Sequence, residues 1–222
     1  MSKTVAVVPM KLTNRRLPQK NIRPFTNGAP LCSYILNTLA SVPQIDAVYV
    51  YCSDPSICAY LPEGIQYLKR DTSLDQDTTK MNEVLQCFSR EVPSDIYVMA
   101  HTTAPFISSS SIQKGLEAVL SGKYDSAFAV KKIQDFLWKE GAPFNYKLDE
   151  IPRTQDLEPL YQETSGFYIY RGDVLSQFNR RIGNRPYMVE VGEIESIDID
   201  EWEDFQIADS IYNHLVKKLI YS

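Results

Sequence analysis

The chain has 222 residues, 44% of them hydrophobic, which is enough to enclose one sizeable core, so a single domain is expected. A formal net charge of -5 excludes a general binder of nucleic acid or anionic membrane. No segment approaches the roughly 18 apolar residues of a membrane span, and the first residues lack a basic region followed by an apolar run; the expected location is therefore cytoplasmic.

In chain order, "TVAVVP" (4–9), "AVYVYCS" (47–53), "DIYVMAH" (95–101) and "DSAFAVK" (125–131) are short β-branched or aromatic runs with little polar alternation. Strands covered on both faces read this way. Between them, 31–39, 81–88 and 112–120 carry apolar residues at helical spacing, the last preceded by the N-cap run "SSSS" (108–111). Strand and helix alternating predicts a three-layer α/β fold with a mostly parallel sheet. Cys32, Cys52, Cys58 and Cys87 form no C-x-x-C pair and have no His at ligand spacing, so buried thiols are expected rather than a zinc site.

The alternation breaks at 133–164, which holds three prolines and several aromatics. This stretch is too apolar for a free linker; it reads as an excursion from the sheet, with a hairpin around Gly141–Pro143 and a partner subunit as one candidate for what covers it. Strand character returns at 165–171 and again over 187–200. A last helix is predicted from Glu201 to Ile220, acidic at its start and closed by Lys217 and Lys218, with His214 as a structural residue.

Two charge clusters stand at opposite ends of the chain. "MKLTNRRLPQKN" (10–21) carries Lys11, Arg15, Arg16 and Lys20 without an acid, directly after the first strand. "EVGEIESIDIDEWED" (190–204) carries eight acids and no base. Taken singly, a basic loop is often only solvated, and acids before a helix often only complement its dipole. Together they suit a polyphosphate. Ligands of open α/β sheets bind at the carboxyl ends of strands. If 196–200 is extended, Asp198 and Asp200 face one side while Ile197 and Ile199 face the core. Such carboxylates repel unless a cation sits between them, and Mg²⁺ prefers carboxylates, waters and substrate phosphates. No G-x-x-x-x-G-K-[ST] and no G-x-G-x-x-G after a strand occur, which removes P-loop and dinucleotide-binding chemistry. The Asp-x-Asp lies too late for a haloacid-dehalogenase phosphatase and later than is usual for an A-type glycosyltransferase, so position favours nucleotidyl transfer.

Against that background, "VVPMKLTNRRLPQKNIRPF" (7–25) resembles the opening signature of CMP-sialic acid synthetases and related cytidylyltransferases, I-P-A-R-G-G-S-K-[GR]-[IL]-P-x-K-N-[IL]. "LKRDTSLDQDTT" (68–79) resembles the element R-P-x-x-L-x-x-D-x-T/A, and "HTTAPF" (101–106) resembles Q-P-T-S-P-L. "PRTQDLEPLYQETSGFYIY" (152–170) is similar to R-x-Q-D-L-P-P-x-Y-R-x-N-G-x-I-Y, and "SIDIDEWEDFQIA" (196–208) to S-x-D-I-D-T-x-x-D-x-x-x-A. The matches run in order along nearly the whole chain.

The resemblance implies a Rossmann-like nucleotidyltransferase fold, usually a homodimer, in which the excursion reaches the neighbouring subunit. It implies transfer of CMP from CTP to the anomeric hydroxyl of a sialic-acid-like 2-keto sugar acid, with Mg²⁺ and with pyrophosphate as the leaving group. By carry-over, Lys11, Arg15 and Lys20 bind the triphosphate, with Lys20, Arg15 and Asp200 the catalytic candidates. Backbone near Met10, with Asn21, Arg70, Asp77 and Thr79, frames the cytidine; Asp198 and Asp200 hold the metal. The sugar meets His101, Gln162, Ser165 and Phe167, with Arg153 acting across a dimer. Departures cluster on the acceptor side. The family's Arg-Gly-Gly is Lys11-Leu12-Thr13, its Gln is His101, the Arg that often follows that motif is Ile107, the Arg before N-G-x-I-Y is Gln162, and the Asn of N-G is Ser165. A Kdo-like sugar or a phosphonate as acceptor, an A-type glycosyltransferase, and a non-catalytic nucleotide-binding subunit stand as alternatives.

Overall fold

The computed structural model describes residues 2–216; the end of the predicted last helix, 217–220, lies outside them. The chain runs β1 (Thr4–Met10), α1 (Leu31–Ala40), β2 (Ala47–Cys52), β3 (Gln66–Lys69), α2 (Met81–Glu91), β4 (Ile96–Ala100), α3 (Ser109–Leu120) and β5 (Ser126–Ile133). It continues through β6 (Trp138–Lys139), β7 (Ala142–Pro143), β8 (Leu160–Arg171), α4 (Gly172–Phe178), β9 (Pro186–Val191) and α5 (Trp202–Ile211). Seven strands form one sheet in the order β3-β2-β1-β4-β8-β5-β9. The first four and the β5–β9 pair are parallel, and only β8 runs antiparallel to its neighbours β4 and β5. The expected three-layer, mostly parallel architecture is thus present.

Both faces of the sheet are covered, which is why its strands carry no polar alternation. On one face Ala6, Val8, Val98 and Ile169 meet Ile35, Leu36 and Leu39 of α1 and Ile112 and Leu116 of α3. On the other, Val5, Val7, Met99 and Tyr168 meet Val84, Leu85 and Phe88 of α2 and Leu175 of α4. A third apolar cluster joins Leu17 and Phe25 of the basic loop to Ile199 and to Phe205 and Ala208 of α5. Burial of such side chains at about 1.5–3 kcal/mol each is what draws the two charged ends of the chain together.

Four expectations need correcting. The stretch 187–200 is not one extended element: β9 ends at Val191, and 192–200 is turn and irregular chain without sheet partners. The last helix regular in α geometry stops at Ile211 and continues as a π-helical turn, Tyr212–Val216. The excursion begins and ends inside the sheet, since Lys131, Lys132 and Ile133 pair with Gln162, Tyr161 and Leu160. Of the four thiols only Cys32 and Cys52 are buried, while Cys58 is exposed; all four are free. The hairpin itself is present, with Glu140 and Gly141 at φ 54° and 80° in its turn. That pair of positive φ values is the geometry a two-residue hairpin selects. Around it Trp138, Phe144, Leu148 and Ile151 are 58%, 57%, 60% and 64% exposed. No described helix is long and apolar enough to cross a membrane.

Candidate functional site

Two adjoining cavities open at the carboxyl ends of β1 and β4. One, of about 260 Å³, is lined by Met10, Asn21, Arg70, Thr79 and His101 among others. The second, of about 390 Å³, is lined by Lys11, Asn14, Arg15, Arg16, Leu17, Lys20, Asp77 and Asp200. Lys11, Asn14 and Lys20 border both. The loop leaves β1, passes these side chains and folds into a 3-10 turn, Lys20–Ile22, entered through Gln19 at φ 57°.

Asn21 is the strut of this corner. Its Nδ2 donates to Lys11 O at 2.8 Å, and its Oδ1 accepts from Thr102 Oγ1 at 2.5 Å; both side chains are buried. The loop is thereby fixed to the residue that follows His101. Lys20, 7% exposed, donates to Ile199 O at 2.6 Å and lies 3.4 Å from Asp200 Oδ1. Ile199 N in turn donates to Thr103 O at 2.8 Å. These two bonds bring the acidic segment to the mouth of the cationic cavity although nearly the whole chain separates them in sequence.

Each exposed cation of the loop has a carboxylate partner. Arg15 pairs with Asp77 at 2.6 Å, Lys11 with Asp77 at 3.2 Å, and Arg16 with Asp200 at 2.7 Å. Asp77 therefore belongs to the cationic cavity rather than to the nucleoside-sized one where the family signature puts it. Arg70 is held by Asp75, which also accepts from Ser53 Oγ at 2.5 Å. Arg70 Nε and Asn14 Oδ1 are buried without a partner among the described residues, on the walls of the smaller cavity.

Most of the acidic run has bland work. Glu195 accepts from Ser108 N at 2.7 Å and from Ser111 Oγ, closing the start of α3. Asp204 accepts from Asp200 N and Glu201 N, each at 2.9 Å, and caps α5. Glu193 pairs with Lys131 at 2.5 Å. Asp198 and Asp200 differ. Asp198 is exposed, and neither its oxygens nor Asp200 Oδ2 accept a hydrogen bond among the described residues. No group of three or more His, Cys, Asp or Glu converges among those residues. Two carboxylates with unclaimed oxygens fit Mg²⁺, which is held by one or two carboxylates and completes its shell with waters and phosphates.

His101 borders the smaller cavity at the end of β4. Burial, then the nearby Arg181 charge, pushes its pKa down from 6.5 to about 4, against the opposing pull of Asp198. It is a neutral imidazole at pH 7.

Of the expected sugar-side residues only His101 lines either cavity; Gln162, Ser165, Phe167 and Arg153 do not. Phe167 is a correction: it is 0% exposed, packed in the core beneath α1 and α3, so its ring is closed to a ligand. Gln162 is exposed at the outer part of β8, and Arg153 is exposed and paired with Asp156 at 2.8 Å. Ser165 lies where β8 bulges against β5, its Oγ buried with no hydrogen-bond partner among the described residues. The sequence reading gave Arg16 and Asn14 no role; their place beside Lys11 and Lys20 in the motif was the available signal.

A family model described as "Cytidylyltransferase" matches residues 5–212. An N-acylneuraminate cytidylyltransferase A of Danio rerio is 25% identical over 206 residues, 88% of this chain and 47% of that protein. An N-acylneuraminate cytidylyltransferase of Streptococcus agalactiae serotype V is 22% identical over 216 residues, 91% of this chain and 52% of that protein. The chain thus spans about half the length of these two relatives. A 3-deoxy-manno-octulosonate cytidylyltransferase of Escherichia coli is 23% identical, covering 86% of this chain and 81% of that protein. Among solved structures, a CMP:2-keto-3-deoxy-manno-octonic acid synthetase complexed with CTP is similar in fold, with TM-score 0.73, 18% identity and coverage of 96% and 99%.

Proposed function

The chain belongs to the cytidylyltransferase family, and from that premise we propose that it transfers CMP from CTP to the anomeric hydroxyl of a 2-keto sugar acid, releasing pyrophosphate. One observation carries the reading to this site. Lys20 and Asn21 pin a cationic loop between the cavity at the end of β1 and the Asp198–Asp200 segment, so phosphate-binding and metal-binding chemistries face one another.

In this reading the nucleoside enters the cavity walled by Met10, Arg70 and Thr79, where Arg70 Nε and Asn14 Oδ1 await partners. The triphosphate takes Lys11, Arg15 and Lys20. The Arg15–Asp77 pair is exposed and worth about 0–1 kcal/mol, and the Lys11 and Lys20 pairs are long, at 3.2 and 3.4 Å, so phosphate oxygens can replace them. The hydroxyl attacks the α-phosphorus in line, and Arg15 and Lys20 stabilise the charge that passes onto pyrophosphate. Mg²⁺ on Asp198 and Asp200 would neutralise and orient the α-phosphate. Neutral His101 accepts or donates a hydrogen bond to the acceptor; with a pKa of about 4 it is a weak base.

The relatives' names set the acceptor panel: N-acylneuraminate, 3-deoxy-manno-octulosonate and pseudaminic acid. A homodimer built over the exposed hairpin is part of the proposal. Pyrophosphate release from CTP and Mg²⁺ should appear with at least one acid of this panel, with a CMP-sugar as co-product. No release with any of them, or a preference for UTP or GTP, overturns the reading.

A further inference from the structure

Arg181 belongs to none of the motifs above, yet its placement calls for a ligand. It sits in the 179–185 loop that follows α4, with its guanidinium carbon 4.0 Å from the centroid of the Tyr168 ring. Its side chain is only 26% exposed, and the nearest carboxylate oxygen, Glu163 Oε1, is 3.9 Å away, too far for a hydrogen bond. That oxygen is already taken by Tyr168 Oη at 2.5 Å. Its contacts are the Tyr168 ring and this long ion pair, and none of its nitrogens is among the buried atoms without a partner, so the guanidinium stays open at one edge. A guanidinium stacked on an aromatic ring, with only a long ion pair and an open edge, keeps N–H donors free to meet an anion.

The loop that carries it is fixed. Asp125 accepts from Asn184 N at 2.8 Å and from Arg185 N at 3.0 Å, and Gly183 N donates to Ser126 Oγ at 2.8 Å. Asn82 of α2 donates to Asn179 O at 2.8 Å. A Cβ on Gly183 would stand 2.1 Å from Asp125 Oδ1, so only glycine lets the loop come this close. The cation is therefore held in place before any ligand arrives.

The position relative to the proposed chemistry is set by the sheet. Tyr168 pairs with Met99 across β8 and β4, two residues before His101 and on the same face of the pleat. Arg181 thus lies on the β8 side of His101, whereas Lys11, Arg15 and Lys20 lie on the β1 side. The triphosphate has its own cations there, each with a partner to exchange. Since His101 is neutral at pH 7, Arg181 is the standing positive charge on the other side.

We propose that Arg181 is the anchor for the carboxylate of the sugar-acid acceptor, setting the acid's orientation beside the end of β4. This rests on the cytidylyltransferase reading and assigns its acceptor a recognition group from outside the family motifs. A planar guanidinium matches a carboxylate with two parallel hydrogen bonds, which an ammonium does not reproduce.

The test uses Arg181→Gln and Arg181→Lys with the best acid of the panel and with its C1 carboxamide, following pyrophosphate release at varied acceptor and varied CTP. Arg181→Gln should raise the acceptor KM about 10- to 100-fold, leave the CTP KM unchanged, and abolish the preference of the wild type for acid over amide. Arg181→Lys should fall between. An unchanged acceptor KM in Arg181→Gln, or a parallel rise in the CTP KM, overturns the assignment while leaving the cytidylyltransferase reading intact. Wild-type protein that turns over no acid of the panel overturns both. If Arg181→Gln does not fold, the lysine variant decides, because it keeps charge and stem: an acceptor KM equal to that of the wild type overturns the assignment.

Discussion

At the end of β1, Lys11, Arg15, Arg16 and Lys20 each reach a carboxylate within 2.6–3.4 Å. Around β8, Gln162 is exposed, Ser165 Oγ has no partner among the described residues, and Arg181 makes only a long ion pair of 3.9 Å with Glu163. One side of the crevice is closed on itself by charge, and the other waits for something to complete it. The contrast follows from chain geometry. The β1 loop is fixed by the third apolar cluster and the Asn21 strut, so its charges are held against Asp77 ahead of α2 and Asp200 ahead of α5. The β8 side borders the excursion, whose aromatic surface is outward. A ligand on the first side must exchange existing pairs, whereas a ligand or subunit on the second side adds contacts where there were none.

The largest expected effect lies on the closed side. Asp200→Ala removes a carboxylate that is both the partner of Arg16 and Lys20 and a proposed metal ligand. Turnover should fall by about two to three decades at saturating substrate, the loss typical for one preorganised contact to developing charge. Stability should change by no more than about 1 kcal/mol, because the Arg16 pair is open to solvent and the buried Lys20, 3.4 Å away, keeps its bond to Ile199 O. Wild-type turnover in this variant would show that the carboxylate only closes the empty crevice.

How much of this contrast was legible in the sequence depends on the length scale of its causes. The buried strands declared themselves because a fully enclosed β1, "TVAVVPM", has no polar face to alternate with. Both charge clusters were visible as composition. Their junction was not, because it depends on Leu17 and Phe25 finding Ile199 and Phe205, which no local pattern encodes. β3 has four residues at the sheet edge and α4 seven, too short for either period to show. Phe167 was misread for a related reason. In "SGFYIY", Phe167 and Ile169 enter one core while Tyr168 and Tyr170 enter the other, so an aromatic beside a motif carries no sign of which side it serves. Arg181 gave no signal at all, since its role depends on a loop folding back over β8.

Between the two sides stands His101, and its titration offers the next effect in size. The unfolded chain takes up this proton below about pH 6.5, whereas the folded chain resists until about 4. Stability from this group is therefore present above pH 6.5, declines as the pH falls, and is gone below about 4, a loss of roughly 3 kcal/mol. Denaturant unfolding of metal-free protein at pH 7 and pH 4.5 should show His101→Gln losing less stability than the wild type. Equal losses would mean that the imidazole is already charged and that the enclosure of the cavity wall is not as close as its neighbours make it.

The smallest effect probes the open side. Trp138 and Phe144 are more than half exposed, so they contribute little to the isolated fold, and Trp138→Glu with Phe144→Glu should shift its stability by only about 0.5 kcal/mol per site. If a second copy of the chain covers the hairpin, the same charges would be buried on association, and aromatic anchors of this kind commonly contribute 1–2 kcal/mol or more to an interface. Sedimentation across a concentration series should then show self-association weakened by about tenfold or more while the melting temperature of the monomer holds. Identical association by wild type and variant would separate the hairpin from any dimer, and the exposed aromatics would then require a different partner. The distinction bears on the acceptor side directly. A neighbouring subunit over 133–164 would stand beside Gln162 and Ser165, supplying contacts that this chain does not provide for itself.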